Sequence, residues 1–471
     1  MRPVPGAQIA TRLMSFCDKY SRHFIAQGRN SVEHARHYIS GLMGTQRKKN
    51  IETIENDVSE SNYQGMEQFI SSSPWQHRAL MDDVAKEASE ALGDELETGL
   101  MIDETSFLKK GKASVGVQRQ WSGRAGKVEN CQVGVFASLV KQQEFALIDF
   151  ELYLPQSWAD DPDRCDKAKI PIDQREYKPK WQQALSMVRR ARQNGVKFGW
   201  IGADALYGNN QEFTDALEDD GEFFMADIHS NHKVWLSEPE LIETAAEREA
   251  TGEITGKQDR PATGLKLSSE MDKSQYQRVD KIVAERFRES ASEVNFRQGA
   301  KGKMSGRFMK LKVWTWHKDK QQRARERTLI VREDEGGEMK YSLTNLPENT
   351  DLKRHAYVQN QRYWIEHAFH EAKSELGMSQ YQVRVWQGWH HHMALVCLST
   401  LFMVQEKQLC KETLPLLSYR DVVELLDYYL PRRSRDESEV HAQIKKRHKA
   451  RQQDIDRRRN KTTGIAARIE I

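Results

Sequence analysis

Phe198-Gly199-Trp200-Ile201-Gly202-Ala203-Asp204-Ala205-Leu206-Tyr207-Gly208 decides how the rest of the chain is read. It is a short apolar run fed by Val196 and released by glycines, with one carboxylate where the run ends. That is a strand whose carboxyl end carries an acid, the place where open α/β sheets put their chemistry. An earlier run, Gly99-Leu100-Met101-Ile102-Asp103-Glu104-Thr105-Ser106, ends the same way. A third acid lies far downstream in Gln361-Arg362-Tyr363-Trp364-Ile365-Glu366-His367-Ala368-Phe369-His370-Glu371-Ala372-Lys373, whose apolar positions recur at helical spacing. Acids on two strands and one helix are a donor set suited to a pair of divalent metal ions.

Working outward, Leu100–Ile102 is followed by strand-like runs at 131–140 and 145–154, joined by a tight polar turn at 141–144. Three strands with no helix between them predict an antiparallel meander. An amphipathic helix over 181–193, capped by Asn194-Gly195, precedes the strand of Asp204. A helix over 210–217 and a strand over 222–228 complete the order β-β-β-α-β-α-β. That order is the signature of a ribonuclease H-like α/β core with a mixed five-stranded sheet, in which the first strand lies beside the fourth. Asp103 and Asp204 are then expected to be neighbours. The stretch between the first two strands, 111–127, reads as a glycine-punctuated basic loop whose Arg119, Arg124 and Lys127 could hold a phosphate backbone. It lacks the order of a P-loop, and a plain loop with solvated cations explains it nearly as well.

Five segments follow from the texture of the chain: a helical amino-terminal domain over 1–97, the first part of the core over 98–234, a β-rich insertion over 235–346 with its own sheet, a helical completion of the core over 347–430, and a basic tail over 431–471. In the first, Leu13, Phe16, Tyr20, Phe24, Tyr38, Ile39, Leu42 and Met43 form apolar stripes; Arg47-Lys48-Lys49 could grip phosphates, and Ser73-Pro74-Trp75 could start a helix. No helix-turn-helix pattern is evident, so a DNA-binding role for this domain rests on context. The insertion opens with a polar stretch over 238–306, poor in core residues. Its Leu311, Val313, Trp314 and Trp316 could build a small β core or stack on an extruded base, with core preferred. His390-His391-His392 project about 100 degrees apart on a helix and cannot face one metal together, so packing or DNA contact is preferred.

The formal charge is only +3, from 72 Lys and Arg against 69 Asp and Glu, but the tail concentrates cations at Arg432-Arg433, Lys445-Lys446-Arg447, Arg457-Arg458-Arg459 and Lys461. It reads either as an arm for a polyanion or as a solvated charged segment. The 5 cysteines show no paired spacing and there is no secretory segment, so a cytoplasmic location is expected and no zinc site is proposed. The apolar run 393–404 is shorter than the roughly 20 residues of a spanning helix and reads as buried.

Arg362, Glu366 and Lys373 have the spacing R-x3-E-x6-K, which puts a carboxylate between two cations on one side of a helix. The bland alternative is a surface ion pair. Glu371 and Glu375 compete for the role of third acid but fall about 140 and about 180 degrees around the helix from Glu366. Hard carboxylate donors favour Mg or Mn over zinc.

Ile102-Asp103-Glu104-Thr105-Ser106-Phe107, the 114–121 and 126–133 stretches, Ala203-Asp204-Ala205-Leu206-Tyr207-Gly208, and Arg362-Tyr363-Trp364-Ile365-Glu366 with Lys373 resemble the bacterial DDE transposases of the insertion sequence 701 family, over roughly residues 30 to 405. The resemblance implies a transposase that binds terminal inverted repeats, cuts DNA with two Mg ions (Mn substituting) and joins the 3′ hydroxyl to target DNA, as a homodimer on paired ends. Asp103, Asp204 and Glu366 would be the catalytic, metal-holding triad, and Arg362, Lys373, Arg119, Arg124 and Lys127 would contact DNA. One departure stands out: the related Y-x2-R-x3-E-x6-K signature has Tyr where this chain has Gln359, with Tyr357 or Tyr363 as candidate substitutes. A structure-specific nuclease of the same fold and a catalytically inactive DNA-binding relative are the alternative readings.

Overall fold

A computed structural model describes residues 6, 8–245, 263–299, 302–316, 323–433 and 436–466. The chain sorts into two compact units, one of Met1–Trp75, Lys373–Val383 and Glu406–Ile471, the other of Gln76–Ala372 and Arg384–Gln405. The division falls before the helix His77–Leu92, and the insertion stays with the core.

The second unit is built on a 12-stranded sheet. Its strands are β1 (Thr98–Leu108), β2 (Gln118–Ser122), β3 (Lys127–Lys141), β4 (Glu144–Leu152), β5 (Trp200–Ala203), β6 (Phe224–Ile228), β7 (Lys233–Trp235), β8 (Tyr276–Arg278), β9 (Ser292–Gly299), β10 (Gly302–Thr315), β11 (Arg325–Glu333) and β12 (Met339–Thr344). The order is β8-β7-β10-β11-β12-β6-β5-β1-β3-β2, with β4 also on β3 and β9 on β10. β1, β5 and β6 are parallel to one another, and the meander of β1, β3 and β4 is antiparallel. The expected core is therefore present, with the first strand between the second and the fourth.

Both faces of this core are covered, which is why its strands read as near-continuous apolar runs rather than as alternations. Val133, Val135, Phe136, Ala137, Leu139 and Val140 of β3 are all buried. The helix Lys180–Gln193 buries Ala184, Leu185, Met187, Val188 and Ala191, close to the expected span. Trp389 packs its ring against Phe107, Phe136 and Phe150, and His390, His391 and His392 beside it are buried, so this triplet is packing.

Three readings need correction. Among the described residues the insertion keeps only a two-stranded sheet to itself, Leu241–Ala245 against Thr263–Leu267; its other strands extend the core sheet, β12 pairing antiparallel with β6, Ser342 opposite Asp227. Backbone groups at a strand edge seek partners whatever segment supplies them. The 111–127 stretch is not all loop, since Gln118–Ser122 pairs with β3 around a turn in which Gly126 takes φ +61 and Ser122 Oγ accepts from Ala125 N. The polar stretch also hides the helix Val279–Ser290, whose Val279, Ile282, Val283 and Phe287 join Val313, Leu329 and Leu343 in one core. Few apolar residues suffice when they share a face. Val313 is buried there and Leu311 leans on it, while Trp314 and Trp316 are half-buried.

In the first unit the helices Gln8–Lys19 and Val32–Leu42 bury the predicted stripe. Ser73 and Pro74 start no helix; the next one begins at His77, and Trp75 stacks on Phe69 instead. Lys49 does not reach outward: its ammonium donates to Leu42 O at 2.9 Å and to Glu375 O, and burial lowers its pKa to about 8. Arg432 is likewise spent on Asp427 and Asp57, and Arg433 on Val58 O. The helix Glu437–Ala466 follows. The side chains of Lys446, Arg447, Arg457, Arg458, Arg459 and Lys461 lie outside the described residues, as does that of Arg124. Among the described residues no helix is long and apolar enough to cross a membrane.

Candidate active site

Strand register determines which acids meet. β1 and β5 pair Ile102 with Ala203, and β5 and β6 pair Ala203 with Ala226. The next residues, Asp103 within β1, Asp204 just past β5 and Asp227 within β6, therefore stand level on three parallel strands. Asp204 also caps the turn Ala205–Gly208, accepting from Leu206 N at 2.9 Å. Gly208 is required here because a Cβ would collide with the carbonyl of Asp227.

Asp103, Glu104 and Asp204 each offer a carboxylate oxygen within 4.8 Å of the others. Glu104 is fixed by Lys180 Nζ at 2.8 Å and by the Tyr207 hydroxyl, which donates at 3.1 Å. Glu366 reaches the group through Arg362, which sits between the helices Leu352–Gln361 and Tyr363–Glu375. Arg362 Nη1 lies 2.8 Å from Glu366 and 3.8 Å from Asp103, while its Nε holds Asp227 at 2.8 Å. Behind it, Gln359 Nε2 donates to Ser342 Oγ at 2.9 Å, and that hydroxyl donates to Asp227 at 2.6 Å. Gln359 thus occupies a defined place in the chain of bonds that holds Arg362.

The electrostatics are unbalanced. Burial, then Asp204, raises the Asp103 carboxyl well above its ordinary value, against the pull of Arg362. Burial, then Glu104, pushes Asp204 up to about 6. Burial would depress the Arg362 guanidinium, but Asp227, Asp103 and Glu366 outweigh it and raise its pKa. Crowded, desolvated carboxylates of this kind gain from a cation. The oxygen donors fit a hard divalent ion.

The structure brings together Asp103, Asp204, Arg362 and Glu366. Glu366 is the most open, its side chain 52% exposed against 13% for Asp103. Lys373 is half-buried in the last turn of the same helix. Arg119 and Lys127 lie on the β2–β3 hairpin with partners there, Val128 O and Glu129. Glu371 faces His367 and His370, and Glu375 faces Arg420. Tyr357 donates to Glu97 O, and Tyr363 lies beneath Arg297. The tyrosine whose hydroxyl meets these acids is Tyr207, on Glu104. Sequence reasoning passed over Glu104, Lys180, Tyr207 and Asp227. Asp227 carried a usable signal, since it follows the apolar run Phe224-Met225-Ala226 just as the other two aspartates follow theirs.

A sequence model of the family described as DDE superfamily endonuclease matches residues 26–302. Asp103 and Asp204 lie inside that match and Glu366 beyond it. The chain is also similar to a Microchaete diplosiphon protein named "Probable transposase for insertion sequence element IS701", 27% identical over 240 residues, which are 50% of this chain and 58% of the relative.

Proposed function

The chain belongs to the DDE superfamily endonucleases, and from that premise we propose that it is the transposase of an insertion sequence, binding terminal inverted repeats, cutting the ends and transferring 3′ hydroxyls to target DNA. The observation that carries the reading is the register of Ile102 with Ala203, which sets two half-buried carboxylates side by side, with Arg362 tethering a third.

Asp103, Asp204 and Glu366 are the catalytic acids of this reading and would hold two divalent ions, Mg2+ or Mn2+, with Glu104 alongside. Such ions, when bound, polarise the phosphodiester and stabilise its attacking and leaving oxygens. The chain's own part is to hold the acids still. Strand pairing fixes Asp103 and Asp204, Lys180 and Tyr207 fix Glu104, and Asp227 with Ser342 and Gln359 fixes the guanidinium that keeps Glu366 close. Arg362, Lys373, Arg119, Arg124 and Lys127 are the proposed phosphate contacts, joined by the helical segment 1–97. The protein would act in the bacterial cytoplasm as a homodimer, since two ends must be cut together.

The test is incubation of the purified protein with transposon-end DNA and Mg2+, comparing the parent with Asp204→Ala. Cleavage and joining by the parent alone support the proposal, and equal activity in the variant rejects the site. Cleavage without joining identifies a nuclease of the same fold. Binding without cleavage identifies a DNA-binding relative.

A further inference from the structure

The helix of Glu366 carries a second donor set that the carboxylate row does not use. His367, His370 and Glu371 stand at i, i+3 and i+4 and so share one face. One ligand atom from each lies within 4.8 Å of the other two. Glu371 Oε1 is 3.7 Å from His367 Nε2 and 3.6 Å from His370 Nδ1. An ordinary surface His–Glu pair engages one imidazole; here two rings, parallel to within 4°, turn nitrogens toward a single oxygen.

The set is also held in place. His367 is braced edge-on by Phe145, stacks on Tyr363 and meets Trp364 edge-on. Glu371 is largely covered, its side chain 19% exposed, whereas His370 is 72% exposed and leaves the cluster open to solvent. Glu366 turns toward Arg362, with His367 and Glu371 about 100 and about 140 degrees round the helix from it and His370, four residues on, its nearest member of the set. The two donor sets engage different partners, Glu366 with Arg362 and Glu371 with the two imidazoles.

Their chemistry differs as well. The carboxylate row offers only hard oxygens, which suit Mg2+. Two imidazoles and one carboxylate suit a borderline transition-metal ion, and three protein ligands with one open position make a familiar zinc arrangement. We propose that His367, His370 and Glu371 form a Zn2+ site separate from the carboxylate row, stapling the helical turn that follows Glu366.

The experiment is calorimetric titration of Zn2+ into the full chain in excess Mg2+, with Co2+ absorption as a second readout, on the parent, His370→Ala and Asp204→Asn. One tight Zn2+ per chain is expected in the parent and in Asp204→Asn. In His370→Ala the affinity should fall by more than about tenfold and the visible Co2+ band should disappear. Equal affinity in the parent and His370→Ala overturns the assignment. So does loss of binding in Asp204→Asn with retention in His370→Ala, which would place the zinc among the aspartates.

Discussion

Arg327 and Arg362 are both guanidiniums wrapped by carboxylates, in the same unit of the protein, and their surroundings differ in charge balance. Arg327, with its side chain 1% exposed, pairs with Asp215 and Glu218 at 3.1 and 3.0 Å, and Arg325 adds a second guanidinium to Glu218 and Asp219. Burial alone would raise Glu218, but its bonds to Arg327 and Arg325 outweigh it and hold the carboxyl below its ordinary value. Around Arg362 stand Asp103, Glu104, Asp204, Asp227 and Glu366, with Lys180 as a further cation on Glu104, and there Asp204 is pushed up to about 6. The Arg327 cluster, two guanidiniums against three carboxylates, is close to balance and serves as structural scaffolding, although burial still raises Asp215 against the pull of both arginines. The Arg362 cluster, with an excess of partly buried carboxylates where β1, β5 and β6 stand level, is poised for a further cation.

The comparison can be broken at several points. The largest effect is expected from Asp204→Asn, which should reduce metal-dependent DNA cleavage on the order of a thousandfold, several kcal/mol of transition-state stabilisation, while leaving the denaturation midpoint unchanged or raised. A thermal midpoint that falls along with activity would mean that Asp204 is scaffold, like Asp215.

Asp215→Ala should do the reverse. Removing one partner of a buried pair should cost about 3 kcal/mol in urea denaturation, with cleavage retained at temperatures where the protein stays folded. Stability within error of the parent would show that Glu218 alone compensates Arg327.

Magnesium should separate the two clusters directly. At a free concentration of about 100 times its dissociation constant it should stabilise the parent by about 2.7 kcal/mol, and Asp215→Ala equally, with no gain in Asp204→Asn. A gain in all three would place the ion elsewhere.

The smallest effect is in pH. The folded Asp204 carboxyl holds its proton up to about 6, above the ordinary 3.8, so between those values the folded chain binds more protons than the unfolded one. The repulsive cost at Asp204 is therefore present above about pH 6 and is relieved as pH falls toward 4. Glu218, lowered from its ordinary 4.5, goes the other way, losing its contribution as pH falls. In metal-free urea titrations the stability advantage of Asp204→Asn over the parent should shrink from pH 6 to pH 4. A constant gap would remove Asp204 as its source.

Much of the site was legible before any coordinates. Apolar runs meeting Asp103 and Asp204 announce acids borne by strands, although β1 runs on past Asp103 to Leu108, and the spacing of Arg362 and Glu366 announces one helical face, realised as a 2.8 Å pair. Asp227 followed its apolar run in the same fashion and was passed over, because its importance comes from lying level with the other two, a property of register. Glu104 was hidden by adjacency, since neighbours on a strand normally point to opposite faces. The helix Val279–Ser290 was masked by the charges around its four buried residues.

Local pattern alone determined the main β-β-β-α-β-α-β order of the core, the buried runs of β1 and β3, and which acids follow which apolar runs, because these depend on the period of apolar residues within a few turns of chain. Only the tertiary structure decided that the insertion strands extend the core sheet through β12 and β6, that Arg362 ties Asp227 to Glu366, and that Lys49 and Arg432 are spent inside the fold. Those outcomes depend on pairing between distant segments and on which charges lose their water, and the free energy of burying a charge is set by partners that adjacent residues do not specify.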